Sequence, residues 1–157
     1  YLDGGAGDDS LEGGYGDDTI VGGQGNDKMT DKGGNDYYQF TAGDGIDAIT
    51  DISAKDILQF NGINANQLWF KHNSNDLTIT RIGTSDSVTI KDWYLNSSTK
   101  NTHIETLKSG DGKTLLDSAV ENLVNAMAGY APPAVGQTTL PSNYQAALSS
   151  VIAASWK

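Results

Sequence analysis

Five aspartates have the residue type and spacing to do chemistry: Asp9, Asp18, Asp27 and Asp36 recur every nine positions, and Asp47 follows after eleven. Each stands a few residues behind a glycine cluster. Carboxylates and the carbonyls of glycine turns offer oxygen alone, and a cage of six to eight oxygens suits a hard cation such as Ca²⁺. Mg²⁺ fits less well, because it demands near-octahedral geometry and keeps several waters. The spacing belongs to a longer period. Residues 4–12, 13–21, 22–30 and the weaker 31–39 align as nonapeptides, and a fifth reads Gly43-Asp44-Gly45-Ile46-Asp47-Ala48-Ile49 after two inserted residues near Thr41-Ala42. The pattern G-G-x-G-x-D-x-U-x, with U apolar, is a Ca²⁺-binding nonapeptide of parallel β-helices. A flexible Gly/Asp linker would share the composition. It would have no reason to keep glycine, aspartate and apolar residues in fixed phase.

The elements that must position these aspartates follow from the same period. Positions one to six form a turn in which glycine tolerates positive φ. Positions seven to nine form a short strand whose middle residue points inward: Leu11, Ile20, Met29, Tyr38 and Ile49. Two nonapeptides complete one coil, so turns two repeats apart stack on the same edge. The expected fold is mainly β: a parallel β-roll, or Ca²⁺-binding β-solenoid, over residues 1–51, then a β-rich cap over 52–131 with one or two short helices, then a tail over 132–157. Carbonyls alternate in an extended turn, so positions one and three should face one neighbouring coil and positions two and four the other. Three cages result. Asp9 and Asp27 join the carbonyls of Gly4, Ala6, Gly23 and Gly25; Asp18 and Asp36 join Gly13, Tyr15, Lys32 and Gly34; Asp27 and Asp47 join Gly22, Gln24, Gly43 and Gly45. Asp27 serves two of them. Asp31-Lys32 replaces the Gly-Gly pair of the fourth repeat, which should weaken the second cage, and the insertion should perturb the third.

The charge has the same address. Of twenty acids, twelve lie in residues 1–51 against Lys28 and Lys32, and the remaining residues carry eight acids and eight bases. A segment this acidic and glycine-rich stays expanded unless cations neutralise it. One inward apolar residue per nine buries too little surface to offset chain entropy. The block is therefore expected to be disordered without calcium and to fold on binding it, so that metal affinity becomes folding free energy. Nucleic acid is excluded as a partner by the missing basic stripe. The chain has no cysteine, so it has neither a disulfide framework nor a thiolate metal site. No apolar run is long enough to span a bilayer. Because Tyr1-Leu2-Asp3 reads as the end of a repeat, the chain is expected to be a fragment, and a monomer.

Beyond Asp51 the runs alternate: Ile57-Leu58-Gln59-Phe60, Gln67-Leu68-Trp69-Phe70-Lys71, Asp76-Leu77-Thr78-Ile79-Thr80-Arg81-Ile82 and Ser87-Val88-Thr89-Ile90-Lys91. Asn73-Ser74-Asn75-Asp76 reads as a hairpin turn. Trp69, Phe70, Trp93 and Tyr94 are expected in the core or cap rather than on an exposed binding platform. Ser118 and Glu121 match a capping box before Val120, Leu123, Val124 and Met127, which recur at helical spacing. Pro132-Pro133 ends that helix, and a second starts at Ser142 with Tyr144, Leu148, Val151 and Ile152 on one face.

The nonapeptides resemble the repeats-in-toxin family. Gln67-Leu68-Trp69-Phe70, Asn75-Asp76-Leu77, Gly83-Thr84, Asp92-Trp93-Tyr94 and Ser155-Trp156-Lys157 look like the last repeat block and C-terminus of its adenylate cyclase toxin-haemolysin branch, whereas residues 97–101 and 110–113 are particular to this chain. That resemblance implies an uncleaved C-terminal signal read by a type I secretion ABC transporter, export unfolded, and folding outside the cell in millimolar calcium. The signal would lie beyond about Pro132, separable from the part that folds. Catalysis is not expected: His72 and His103 are the only histidines, and no serine stands in a nucleophile-base-acid order. The alternative is a Ca²⁺-dependent ligand-binding or adhesion module for polysaccharide or a host surface. Position seven, Ser10, Thr19, Lys28, Tyr37 and Ala48, presents no flat Thr or Asn array to favour it.

Overall fold

A computed structural model describes residues 1–52, 55–95 and 102–157. Of the stretch singled out above as particular to this chain, residues 97–101 lie outside the described residues. The described residues form twelve strands: β1 Leu2–Ala6, β2 Ser10–Glu12, β3 Thr19–Gln24, β4 Lys28–Thr30, β5 Tyr37–Thr41, β6 Ile46–Thr50, β7 Ile57–Asn61, β8 Leu68–Asn73, β9 Asp76–Arg81, β10 Ser87–Ile90, β11 Thr106–Lys108 and β12 Thr114–Leu116. A 3₁₀ turn, Ala65–Gln67, precedes β8, and two helices, α1 Asp117–Met127 and α2 Ser142–Ser155, end the chain. The described residues are thus mostly strands with two helices and no closed barrel.

The strands divide into two six-stranded sheets, ordered β1-β3-β5-β7-β11-β12 and β2-β4-β6-β10-β9-β8. From β1 to β8 successive strands therefore enter opposite sheets, and along both the pairing is parallel from β1 to β11 and from β2 to β10. Register follows the nonapeptide. Leu2 lies beside Ile20 and Ile20 beside Tyr38 in one sheet, and Leu11 lies beside Met29 in the other. Because the inward residue occupies position eight of every repeat, these partners stack into two apolar rows. One runs Ile20, Tyr38, Leu58, Leu107 and Leu115, and the other Met29, Ile49, Ile90 and Leu77; all are buried. Burying such a side chain contributes about 1.5–3 kcal/mol. The insertion near Thr41 does not break the stack, since Gly25 still bridges Gly45 and Met29 still lies beside Ile49.

Glycine is obligatory where backbones approach. A Cβ on Gly25, whose φ is +148°, would lie 2.2 Å from the Gly7 carbonyl oxygen, and one on Gly23 would lie 2.1 Å from that of Gly5. No side chain fits between coils this close.

Past the stacked coils, β8 and β9 form the expected antiparallel hairpin, with Asn73 opposite Asp76 and Ser74 at φ +59°. Trp69, Phe70 and Trp93 are buried, and Tyr94 is packed partly against the same core. Helix α1 buries Val120, Leu123, Val124 and Met127, an i, i+3, i+4, i+7 stripe, against β8 and β12. The capping box does not form. The helix starts one residue before Ser118, no side chain caps it, and the Glu121 carboxylate accepts a hydrogen bond from the Tyr94 hydroxyl instead. Asp117 in the first turn complements the helix dipole.

The tail packs against the folded part. α2 packs on α1, with Leu148 and Ile152 buried and Tyr144 and Val151 against the core. Trp156 is 3% exposed, its ring edge-on to Phe70, and Lys157 exchanges both backbone hydrogen bonds with Thr114 on β12. Lys157 thus pairs with the sheet edge at β12. Trp156→Ala is expected to remove about 3–5 kcal/mol of stability, read as a shift of the urea midpoint at saturating calcium. An unchanged midpoint would show that the tail merely rests on the cap.

Candidate metal centre

Position six of each repeat sits where one coil turns toward the next, and the structure joins these positions into two ladders. On one edge the Asp9 N–H donates to Asp27 Oδ1 at 2.8 Å and the Asp27 N–H to Asp47 Oδ1 at 3.0 Å. On the other the Asp18 N–H donates to Asp36 Oδ1, the Asp36 N–H to Asp56 Oδ1 and the Asp56 N–H to Glu105 Oε2, each at 2.8 Å. The three pairs read from the spacing are thus brought together, with Asp27 in the middle of its edge. On the first edge each bond uses one oxygen of the accepting Asp27 or Asp47 carboxylate and leaves its Oδ2 without a hydrogen-bond partner.

Those second oxygens carry the chemistry. Asp9 Oδ2, Asp27 Oδ2, Asp31 Oδ2 and Asp47 Oδ2 are buried with no hydrogen-bond partner. A buried carboxylate without a partner is costly, and a cation is the ordinary remedy. The nearby basic side chains are paired elsewhere: Lys32 lies in an exposed ion pair with Glu12, and Arg81 pairs with Asp86. Burial pushes the Asp36 carboxyl up to about 6, with Asp31 and Asp51 adding to the rise. Burial likewise pushes Asp47 up to about 7, helped by Asp27, Asp44 and Asp86, and Asp56 up to about 7, helped by Asp51, Glu105 and Asp36. The phenol of Tyr38 rises too, through burial and the Asp51 carboxylate that its hydroxyl binds at 2.7 Å. In every case the ion-free site disfavours negative charge. An all-oxygen donor set with unmatched buried charge fits Ca²⁺.

Carbonyls alternate in direction as expected, but in the opposite sense. The Gly14 carbonyl accepts from the Lys32 N–H and the Gly25 carbonyl from the Ile46 N–H, so positions two and four face the following coil. Gln24 accepts from the Gly7 N–H, Gly33 from Gly16 and Asp44 from Gly25, so position three faces back. The Gly22 oxygen also faces back, toward Gly4. The cause is the parallel ladder, in which each N–H must find the carbonyl of the adjoining coil. Gly22 and Gln24 therefore border the Asp9/Asp27 gap, and Gly23 and Gly25 the Asp27/Asp47 gap, exchanging the places assigned to them. By the same alternation Gly4, Ala6, Gly13 and Tyr15 face away from the following coil, and Lys32 and Gly34 face the coil of Asp56. The Gly45 carbonyl accepts from the Ser87 N–H, beyond the third gap, and Gly43 lies beside Asp86, to which its N–H donates at 2.9 Å.

Three carboxylates escaped the sequence reading. Asp31, read as a flaw because it replaces glycine, is buried, and its Oδ1 accepts from the Gly33 N–H at 2.8 Å. Asp51 and Asp56, both buried, belong to a sixth turn that lacks glycine. A shift of twenty would have revealed it, since Asp31, Asp36 and Tyr38 become Asp51, Asp56 and Leu58. Carboxylate oxygens of Asp18, Asp31 and Asp36 lie within 4.8 Å of one another, as do those of Asp36, Asp51 and Asp56. Neither histidine approaches them: His72 stacks on Tyr94, and His103 stacks on Trp93 and meets Asp117.

Residues 1–29 and 14–49 match the family of RTX calcium-binding nonapeptide repeats, and residues 76–118 the haemolysin-type calcium binding protein related domain. The chain is similar to two proteins named multifunctional-autoprocessing repeats-in-toxin. It is 33% identical to that of Vibrio vulnificus over 132 residues, which is 73% of this chain and 2% of the relative. It is 37% identical to that of Vibrio cholerae serotype O1 over 129 residues, 69% of this chain and 3% of the relative. The chain thus spans a few hundredths of the length of these relatives. The match at residues 1–49 covers all five position-six aspartates and identifies the repeats as Ca²⁺-binding.

Asp27 borders two gaps and Asp9 one. In calcium titrations followed by circular dichroism, Asp27→Ala should raise the midpoint by roughly tenfold (~1.4 kcal/mol) more than Asp9→Ala. Equal shifts would argue against a shared carboxylate.

Proposed function

The chain belongs to the repeats-in-toxin family and binds Ca²⁺ through its nonapeptides, and from that premise we propose that calcium is the folding switch of a secreted, toxin-like protein whose residues 1–61 close into a parallel β-roll around the ions. The single observation that carries the reading is the set of unpartnered carboxylate oxygens buried between coils. Ions would sit between Asp9 and Asp27, Asp27 and Asp47, and Asp18 and Asp36, with the carbonyls of Gly22, Gln24, Gly23 and Gly25 nearest on the first edge. A bound cation supplies positive charge to carboxylates that otherwise repel. The chain's own residues do the rest: the ladder holds one oxygen of each carboxylate in place, glycine lets the backbones close, and the apolar rows align the strands.

Coupling follows from the balance. The stacked coils hold few apolar side chains per residue, so the electrostatic term decides whether they close. Extracellular calcium sites commonly bind with Kd of order 10⁻⁴–10⁻³ M, a range that leaves such a chain open in cytosol and closed outside. Among the described residues no helix is long and apolar enough to cross a membrane. Export would therefore draw the chain out before it folds, through a type I ABC transporter that reads residues 132–157. The chain is read as a monomer and not as an enzyme. Similarity to toxins of the repeats-in-toxin type supports a secreted setting.

In chelator the full chain should lose most of its β signal in circular dichroism and regain it cooperatively as Ca²⁺ reaches the millimolar range. A β signal already complete in chelator would overturn the switch. In a host carrying a type I exporter, a chain lacking residues 132–157 should stay in the cell, and its appearance in the medium would remove the signal from that segment.

A further inference from the structure

The two edges of the stack are chemically different. Among the described residues the Asp9–Asp27–Asp47 edge has no three carboxylates with oxygens within 4.8 Å of one another, whereas on the other edge Asp31 joins Asp18 and Asp36, and Asp51 joins Asp36 and Asp56. We propose that Asp31 makes the gap between Asp18 and Asp36 a three-carboxylate cation site, one that fills with Ca²⁺ before the two-carboxylate gaps and prefers a trivalent lanthanide ion over Ca²⁺. The proposal rests on the reading that cations occupy these gaps, and it adds which gap dominates and why.

The geometry is specific. Asp31 is 1% exposed and its Oδ2 has no hydrogen-bond partner. That oxygen is aimed at the gap: a Cβ placed on Gly13 would lie 2.1 Å from Asp31 Oδ2 and 3.1 Å from Asp18 Oδ2. Gly13 thus leaves the space that the Asp31 carboxylate fills. Asp31 Oδ1 is tied down by the Gly33 N–H, which fixes the carboxylate in that direction. The mutual separations of 4.8 Å or less match about twice a Ca²⁺–oxygen bond of 2.3–2.6 Å. One ion can reach all three carboxylates.

Charge sets the preference. Three carboxylates around a divalent ion leave a net charge of about −1 in a buried gap, and around a trivalent ion about zero, so the larger charge gains more where solvent screens little. Raising the number of charged ligands is also how oxygen sites of one architecture are tuned to tighter binding. The replacement of glycine at position one in the fourth repeat is then a gain in affinity.

The test uses the full chain with terbium as probe. Tyr38, whose hydroxyl is bonded to Asp51 beside this cluster, serves as the antenna. In saturating Ca²⁺ the wild-type chain should show tyrosine-sensitised Tb³⁺ emission that includes an Asp31-dependent phase of one equivalent, distinct from an ion held by Asp36, Asp51 and Asp56. Both Asp31→Asn and Asp31→Gly should weaken that phase at least tenfold. Asn keeps the acceptor for Gly33, and Gly restores the residue present at position one of the first three repeats. Circular dichroism of each variant in saturating Ca²⁺ should match wild type, which separates lost affinity from lost fold. An unchanged Tb³⁺ phase in either folded variant would overturn the proposal while leaving calcium-driven folding intact. A wild-type chain whose circular dichroism ignores Ca²⁺ but whose Tb³⁺ phase still needs Asp31 would sink the folding switch and keep the site.

Discussion

Everything in the first half of this protein depends on one constraint: carboxylates of successive coils must lie within a few ångströms of each other, out of water, with no basic group between them. Bare, that arrangement is unfavourable, since burial and mutual repulsion both oppose ionisation, as the raised carboxyls of Asp36, Asp47 and Asp56 record. With a hard cation between them the same charges become the attraction that draws coils together. Ladder bonds from each position-six N–H to the next carboxylate keep the oxygens aligned, and they are possible only because glycine lets the backbones approach. In the proposed switch, metal binding and backbone closure would be one event seen from two sides.

The rest of the chain responds to the end of that stack. Parallel coils leave an exposed strand edge and an uncovered apolar row, a hazard that a terminal unit has to remove. Here the cap continues both sheets. β11 adds to β7 in parallel and β12 turns back on it, while β10, β9 and β8 extend the other sheet and convert parallel pairing to antiparallel. Glu105 accepts the last ladder bond, from Asp56, so the carboxylate row ends on a side chain of the cap. The two helices then cover β8, and Trp156 closes the space beside Phe70. Leu148, Ile152 and Trp156 of the tail are buried in the core, because its apolar residues have a surface to bury against.

Sequence and structure agree where a residue's role follows from local period. Inward Ile20, Met29 and Tyr38 follow from counting by nine and Ile49 from the same count after two inserted residues, and the structure sets Asp9 beside Asp27, Asp18 beside Asp36 and Asp27 beside Asp47. Two features misled the count. Asp31 looked like a defect because a glycine consensus describes backbone space, and only the neighbouring coil shows that Gly13 vacates room for its carboxylate. The turn of Asp51 and Asp56 was hidden because it lacks glycine altogether and is phased by twenty residues instead of eighteen. The capping box failed for a similar reason: Glu121 had a tertiary partner in Tyr94, and Asp117 already suited the helix start.

By itself the sequence determined the period, the all-oxygen chemistry, the cation and which residues point inward, because these depend on spacing along one chain and on the donor atoms of single residues. Only the tertiary structure decided which way the carbonyls face, which carboxylates share a gap and how far the stack extends. Those properties belong to pairs of coils eighteen or twenty residues apart, where hydrogen-bond register and available space, rather than residue type, select the neighbours. The place of the tail is of the same kind. Helical spacing announced a helix at Ser142, but its docking needed the groove that β8 and α1 make together.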